Sequence, residues 1–362
     1  MLSCVRDELD SEQFRTTMNE NKRNAKEFSA EEFVDNLLTK GSCLPCDETS
    51  KTFTRQNIPN FYDENLYQRG QRFFYKHIFG MFLGKLLGLM AIISIKSTLG
   101  ILMLTNNSST QFLSYKRYVS TIFHMLIWYK EDLHPNSRLC KSLFKVKKMH
   151  NVASKKAQIA LHYRISQKDM AVTQFGFMGF LLSRPNLIGV HSTSNEDIKG
   201  VVHLWRVVGY ILGIDDEFNI CRESVEETRA ICNEVIKRIV IPEVRLHNKD
   251  ATQLTANFIN GMWAMNPFLD GTTFMFYMNL VLHNDNSKIS IKNSEFSKLN
   301  TTAKFKLRLI CYVIDLMKYS LVRIFVNWIQ LHALYMTKKF PYLAYYKFGL
   351  SNMHIPILTD EL

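Results

Sequence analysis

The sequence predicts an all-α fold, a multi-helix single domain, and three observations carry that expectation. Apolar residues recur at steps of three and four along most of the chain, the spacing of one helix face. In "SLFKVKKMHNVASKKAQIALHY", residues 142–163, Leu143, Val146, His150, Ala153, Ala157 and Leu161 form such a stripe, and Lys141, Lys145, Lys148, Lys155 and Lys156 lie largely off it. Helix start and stop signals are frequent, and only "SKISI" near residue 290 has the alternation of a strand. Ten to twelve helices are expected on this pattern.

Residues 1–60 are acidic and basic by turns and read as a polar leader or flap, with one short helix near Ala30 to Leu38. Residues 61–362 form the helical domain, which turns helical from about Glu64. The most apolar run, "HIFGMFLGKLLGLMAIISIKSTLGILML", is interrupted by Lys85 and Lys96, leaving an uncharged centre of ten residues. A spanning helix needs about eighteen or more. A second stretch, Ile324 to Thr337, has fourteen uncharged residues but includes Asn327, Gln330 and His332. Both read as buried helices, with an interfacial or re-entrant placement as the alternative. Ser166 with Asp169 makes a capping box, and Pro185 closes the helix that follows. Ser194 precedes two acids that suit a first helical turn, and Ser224 with Glu227 caps a run that Pro242 is expected to end.

Composition narrows the function. Twenty-five Phe, fifteen Tyr and sixteen Met give a bulky, adaptable interior that can surround an apolar ligand. The net charge of +12 is spread over many helices, with no zinc-finger spacing and no ribonucleoprotein motif, so nucleic acid is not the expected partner. A solvated basic surface is the first reading, and weak peripheral attraction to an acidic membrane the second. Seven scattered cysteines make no disulfide framework. Cys43 and Cys46 form one C-x-x-C, which suits a redox dithiol or half a zinc site, yet no second pair accompanies it. The first sixty residues carry no secretory signal, which favours an intracellular location. Gly-rich phosphate loops, H-E-x-x-H and a serine elbow are absent.

Chemistry is expected at three places. His150 stands in the apolar stripe beside small Ala153, Ser154 and Ala157, with cationic Lys147 one turn before it. An apolar slot with a neutral imidazole and a nearby cation is what a haem needs, an axial ligand and a propionate partner. A core histidine bonded to a backbone carbonyl is the plain alternative. In "LSYKRYVSTIFHMLIWYKEDLHP", Arg117, Thr121, His124 and Trp128 share one face. Arg117 and Thr121 suit donation to dioxygen, a water or a propionate, or else a polar seam between helices. In "VVHLWRVVGYILGIDDEFNIC", His203, Arg206 and Tyr210 share a face, and Asp215, Asp216 and Glu217 follow as acids that usually stay solvated or pair with cations.

The succession "KRYVST", "VKKMHNVASKKA", "SQKDMAVTQFGFMGF" and "HLWRVVGYILGIDDEFNIC", from about Tyr62 to about residue 270, resembles the catalytic domain of the rubber oxygenases. That family includes latex-clearing proteins and fungal ER-bound oxygenases. The resemblance implies a globin-like, haem-binding core around a haem b iron. It also implies dioxygen-dependent cleavage of a C=C bond in an isoprenoid, and association with the ER membrane by analogy with the fungal members. On it, His150 matches the proximal iron ligand, and Lys147 stands where bacterial members have an arginine. Arg117 and Thr121 match the polar pair of the helix bordering the pocket, and His203 and Arg206 fall in the later His-x-Trp-Arg segment. Two features depart from the bacterial pattern: Ser154 replaces an arginine four residues after the ligand, and the apolar stretch 86–105 has no counterpart to an upstream acidic residue.

The leading expectation is a haem-dependent oxygenase acting on an isoprenoid or lipid-like substrate, with Phe79 to Leu104 and Phe175 to Leu182 lining the substrate's route. A catalytically inactive haem or lipid carrier on the same fold is the second. A membrane-embedded protein without a cofactor is the third, and Lys85 and Lys96 count against it.

Overall fold

The computed structural model describes residues 28–47, 58–284, 296–297 and 299–355. Among them no strand occurs, and one isolated antiparallel bridge joins Pro45 to Ser166. Helices α1 (Ala30–Leu38) and α2 (Lys40–Cys43) precede α3 (Glu64–Lys76), α4 (Ile78–Ser94), α5 (Lys96–Thr105), α6 (Gln111–Trp128) and α7 (Arg138–Leu161). Then come α8 (Gln167–Ser183), α9 (Asn195–Leu212), α10 (Val225–Val235), α11 (Ile241–Arg245), α12 (Lys249–Met262) and α13 (Gly271–Leu282). The described chain ends with α14 (Thr301–Leu316), α15 (Ser320–Lys339), α16 (Tyr342–Phe348) and α17 (Leu350–Met353). The number exceeds ten to twelve because α2, α11, α16 and α17 are pieces of four to seven residues, too short to show a period, and α1 lies in the leader rather than the helical domain. The segment "SKISI" lies outside the described residues.

Helix α8 is the hub. The Ser166–Asp169 capping box starts it, and it is buried nearly all round. Its polar side chains are satisfied inside the core. Gln167 donates to the Gly213 carbonyl at 3.1 Å and accepts from the Asp215 N–H at 3.0 Å. Gln174 donates to the Trp205 carbonyl and to Asn219 and accepts from the Ile220 N–H, which ties α8 to the loop after α9. Helix α4 crosses α8 with backbones touching: a Cβ on Gly88 would lie 1.9 Å from the Gly176 carbonyl oxygen. Helices α3 and α9 meet likewise, since a Cβ on Gly70 would fall 2.5 Å from the Gly200 oxygen. Both pairs need glycine because no side chain fits between helices so close.

Residues 28–47 are packed onto this framework. Val34 and Leu37 of α1 are fully buried, and α1 packs against α10. Asp35 pairs with Arg238, and Lys40 with Glu217 at 2.7 Å. Beyond α2 the Cys46 N–H donates to the Ile165 carbonyl, and the Gln167 N–H to the Leu44 carbonyl.

Two expectations are corrected. Pro242 does not end the run that Ser224 caps: the chain widens into a π turn over Ile236–Val240 and continues as α11 to Arg245. The Ile241 N–H bonds back to the Ile236 carbonyl, and the looser turn leaves room for a ring that would clash in a regular helix. The two apolar stretches also differ. Residues 79–104 lie mostly in the core, against α8. Helix α15, by contrast, turns Asn327 and Gln330 inward and leaves Ile324, Phe325 and Trp328 exposed. No single described helix is long and apolar enough to cross a membrane, although α3 and α4 together, bent by 93°, pass by length and composition.

The α4–α8 contact makes a specific demand. Gly88→Ala is expected to lower unfolding free energy by about 3 kcal/mol, because two backbones must separate to admit one methyl. Gly271→Ala, whose Cβ would meet nothing within 4 Å, is the control and should change it by less than about 1 kcal/mol. Urea denaturation followed by circular dichroism reads both.

Candidate functional site

Helices α6 and α7 pack side by side, and α7 also touches α5 and α9. Each starts on a hydroxyl cap: Thr110 accepts from the Leu113 N–H and Ser137 from the Cys140 N–H. Helix α7 stops where His162 adopts a left-handed φ of 61°. Its inward stripe holds Leu143 and Ala157 fully buried, with His150 between them.

The His150 Nδ1 is buried and no hydrogen-bonding group of the described protein reaches it. Burial first, and the Arg117 charge second, push the imidazole pKa down to about 4. The ring is therefore neutral at physiological pH, with a nitrogen lone pair available to a Lewis acid. Arg117 stands on the neighbouring α6, its guanidinium donating to Ser108 Oγ at 3.4 Å and lying 5.5 Å from the Tyr118 ring centre. Its charge is within electrostatic reach of the His150 ring.

The remaining residues are engaged in other places. Thr121 is exposed, and its hydroxyl donates to the Arg117 carbonyl of its own helix at 3.1 Å. His124 and Trp128 are buried and converge on Ser142, whose Oγ lies 2.7 Å from His124 Nδ1 and accepts from Trp128 Nε1 at 2.9 Å. Lys147 is buried close to Cys46, and desolvation lowers its pKa. Ser154 is fully buried and accepts from the Ile165 N–H at 3.2 Å. His203 Nε2 accepts from the Asp63 N–H at 3.0 Å, at the start of α3. Arg206 makes a bidentate pair with Asp216 at 3.2 and 3.0 Å and lies over the Phe61 ring at 4.2 Å. Asp216 and Glu217 are therefore paired with cations, and the Asp215 N–H is held by Gln167.

Burial, with Asp47 and Asp169 adding to it, raises the Cys46 thiol to about 12, so at neutral pH it carries little thiolate. Among the described residues no group of three or more His, Cys, Asp or Glu could hold a metal ion. A haem asks for less, one axial donor and counter-charges for its carboxylates. The orphaned, neutral imidazole of His150 and the Arg117 charge beside it fit that need.

Sequence reasoning treated Lys85 only as a break in an apolar run. Its Nζ lies 4.9 Å from the Phe74 ring centre and 5.1 Å from that of Tyr129, and burial holds its pKa well below the ordinary value. A lone lysine in the seventeen residues of α4 was the available signal.

The pH dependence has a definite sign. His150 has a folded pKa below its unfolded value of 6.5, so the unfolded chain takes up protons that the folded ring refuses. Its contribution to stability is full above 6.5 and is lost as pH falls from 6.5 toward 4. Imidazole resonances in a proton NMR titration should show His150 unprotonated at pH 5.5, and Arg117→Met should raise its midpoint while leaving it below the ordinary value.

No protein-family profile matches the chain, and no curated protein matches its sequence. Among solved structures it aligns with one described as "Structure of Latex Clearing Protein LCP in the closed state", at a TM-score of 0.51 and 15% identity. The alignment covers 77% of this chain and 76% of that one. At that identity the likeness concerns architecture: the all-helical fold of this chain is similar to that of latex clearing protein.

Proposed function

We propose that the chain is a haem-dependent oxygenase that uses dioxygen to cleave a carbon–carbon double bond in an isoprenoid or similarly apolar substrate. The observation that carries this reading is His150, a half-buried residue whose neutral imidazole has its Nδ1 buried and engaged by no group of the described protein, set in a fold similar to that of latex clearing protein.

His150 would hold haem b as a neutral axial donor, its lowered pKa keeping protons from competing for the lone pair. The haem would supply the redox chemistry for dioxygen-dependent cleavage of a double bond. Arg117 sets a fixed positive charge beside the group, suited to a haem carboxylate or to negative charge developing on oxygen. Helices α4 and α8, whose side chains are largely apolar, would line the route of a polyene with few polar handles. Ser154, His203 and Arg206 are positioning residues in this reading, because Ser154 holds the segment before α8, His203 the start of α3 and Arg206 the loop after α9.

A second reading, a haem or lipid carrier without turnover, draws on Thr121. That hydroxyl is exposed and bonded to its own helix, so it offers no donor to the interior beside His150. Incubating haem-loaded protein with an oligoisoprenoid and dioxygen separates the two. The oxygenase forms one aldehyde and one ketone per bond cleaved, with both oxygen atoms of dioxygen incorporated. His150→Ala should give no product, Arg117→Met should lose roughly ten- to a hundredfold in rate, and Thr121→Ala less than about threefold. Stoichiometric haem with no product from the wild type favours the carrier.

A further inference from the structure

Helix α15 turns much of its apolar surface outward. Leu321, Ile324, Phe325, Trp328, Leu331 and Tyr335 lie on one face of its turns and all are exposed, Leu321 by 83% and Trp328 by 57%. The inward face holds Asn327 and Gln330 beside apolar Val326 and Leu334, all under 10% exposed. The fold has a use for the inward polar residue. Asn327 accepts from the Phe79 N–H at 3.1 Å and donates to the Lys76 carbonyl at 2.8 Å, satisfying both broken helix ends at the sharp α3–α4 bend. It has no comparable use for the outward apolar face, which adds hydrocarbon to a water-facing surface. In the following α16, Tyr342 and Tyr346 are also exposed.

Charge indicates what covers it. Residues 301–355 carry eight lysines and arginines and one acid, Asp315, and none of the residues from 316 to 355 is acidic. Lys318, paired with Asp315, and half-buried Arg323, bonded to Met317 and Ser320, lie near the start of α15, and Lys338 and Lys339 lie at its end. A second copy docked through this face by a two-fold axis would oppose basic ends in either orientation, which disfavours self-association. Tryptophan and tyrosine between basic ends are instead the residues that settle at the headgroup level of a bilayer. From Leu321 to Tyr335 the stripe is about 21 Å long, enough to lie along a membrane and too short to cross its roughly 30 Å core.

We propose that the outward face of α15, with α16, seats the protein on the surface of an anionic lipid bilayer. The apolar side chains enter the boundary between headgroups and acyl chains, and the flanking lysines and arginines meet lipid phosphates and carboxylates. The proposal is independent of haem and turnover, since none of these residues belongs to the His150 site.

The test is flotation of the full-length protein with vesicles of phosphatidylcholine alone and of phosphatidylcholine with phosphatidylserine. Binding should be roughly tenfold tighter to the anionic vesicles and should weaken as salt is raised. Trp128 and Trp205 are buried and Trp263 is half-buried, so Trp328 is read in a Trp263→Phe background: its fluorescence should shift blue and be quenched by brominated acyl chains. The triple variant Ile324→Ser, Phe325→Ser, Trp328→Ser should lose roughly a hundredfold in vesicle affinity. Its thermal midpoint and haem content should match wild type, because all three side chains are exposed. Phe325→Leu should retain binding. Failure to bind either vesicle, equal binding to both, or a dimer seen by light scattering that the triple variant abolishes would each overturn the proposal.

Discussion

Everything in this fold rests on two helices brought closer than side chains allow. Where α4 crosses α8, Gly88 meets Gly176 backbone to backbone, and Gly70 with Gly200 repeats the arrangement between α3 and α9. Close crossings bring the apolar faces of four helices into one continuous core, and dispersion between tightly packed backbones replaces the area that side chains would bury. With α8 fixed, Gln167 and Gln174 anchor the loop after α9, and the bridge at Ser166 fixes the segment that carries Cys46. Helix α12 packs on both α4 and α6, and so carries the geometry outward to the helix that presents Arg117.

The site uses the low polarity of that interior. Three histidines, His77, His124 and His150, each have a pKa of about 4, with burial as the main cause. They differ in company. His124 shares Ser142 with Trp128 and serves the seam between α6 and α7, whereas His77 stacks on Phe73 at the α3–α4 bend. Each ring also feels a nearby cation that helps keep it unprotonated, Lys76 and Arg323 for His77, Lys145 for His124 and Arg117 for His150.

The sequence made the local structure readable because local rules governed it. The bounds of α1, the capping box of α8 and the caps at Ser194 and Ser224 are short-range hydrogen-bond patterns, and each is present. Periodicity also grouped His150 with the buried face of α7. Periodicity does not say which face a helix turns inward when tertiary bonds compete, and α15 is the case in point. Asn327 is pulled in by two unsatisfied backbone groups more than two hundred residues earlier, so the apolar face goes out. Long-range contacts also hid the surroundings of Lys147 and Ser154. Both lie beside residues 46 and 165, and nothing in the spacing of α7 reports that an N-terminal segment returns there. Pro242 failed as a stop because a π turn, which sequence spacing does not mark, absorbed its ring.

The central claim is that His150 holds iron, and one absorption spectrum addresses it directly. The full-length protein is purified with haem supplied during expression, beside a His150→Ala partner prepared identically. The account predicts a Soret band with one haem per chain in the wild type and its loss in the variant, at unchanged helical content by circular dichroism. A wild type that takes up no haem even after reconstitution, or a Soret band unaltered by the substitution, would contradict it.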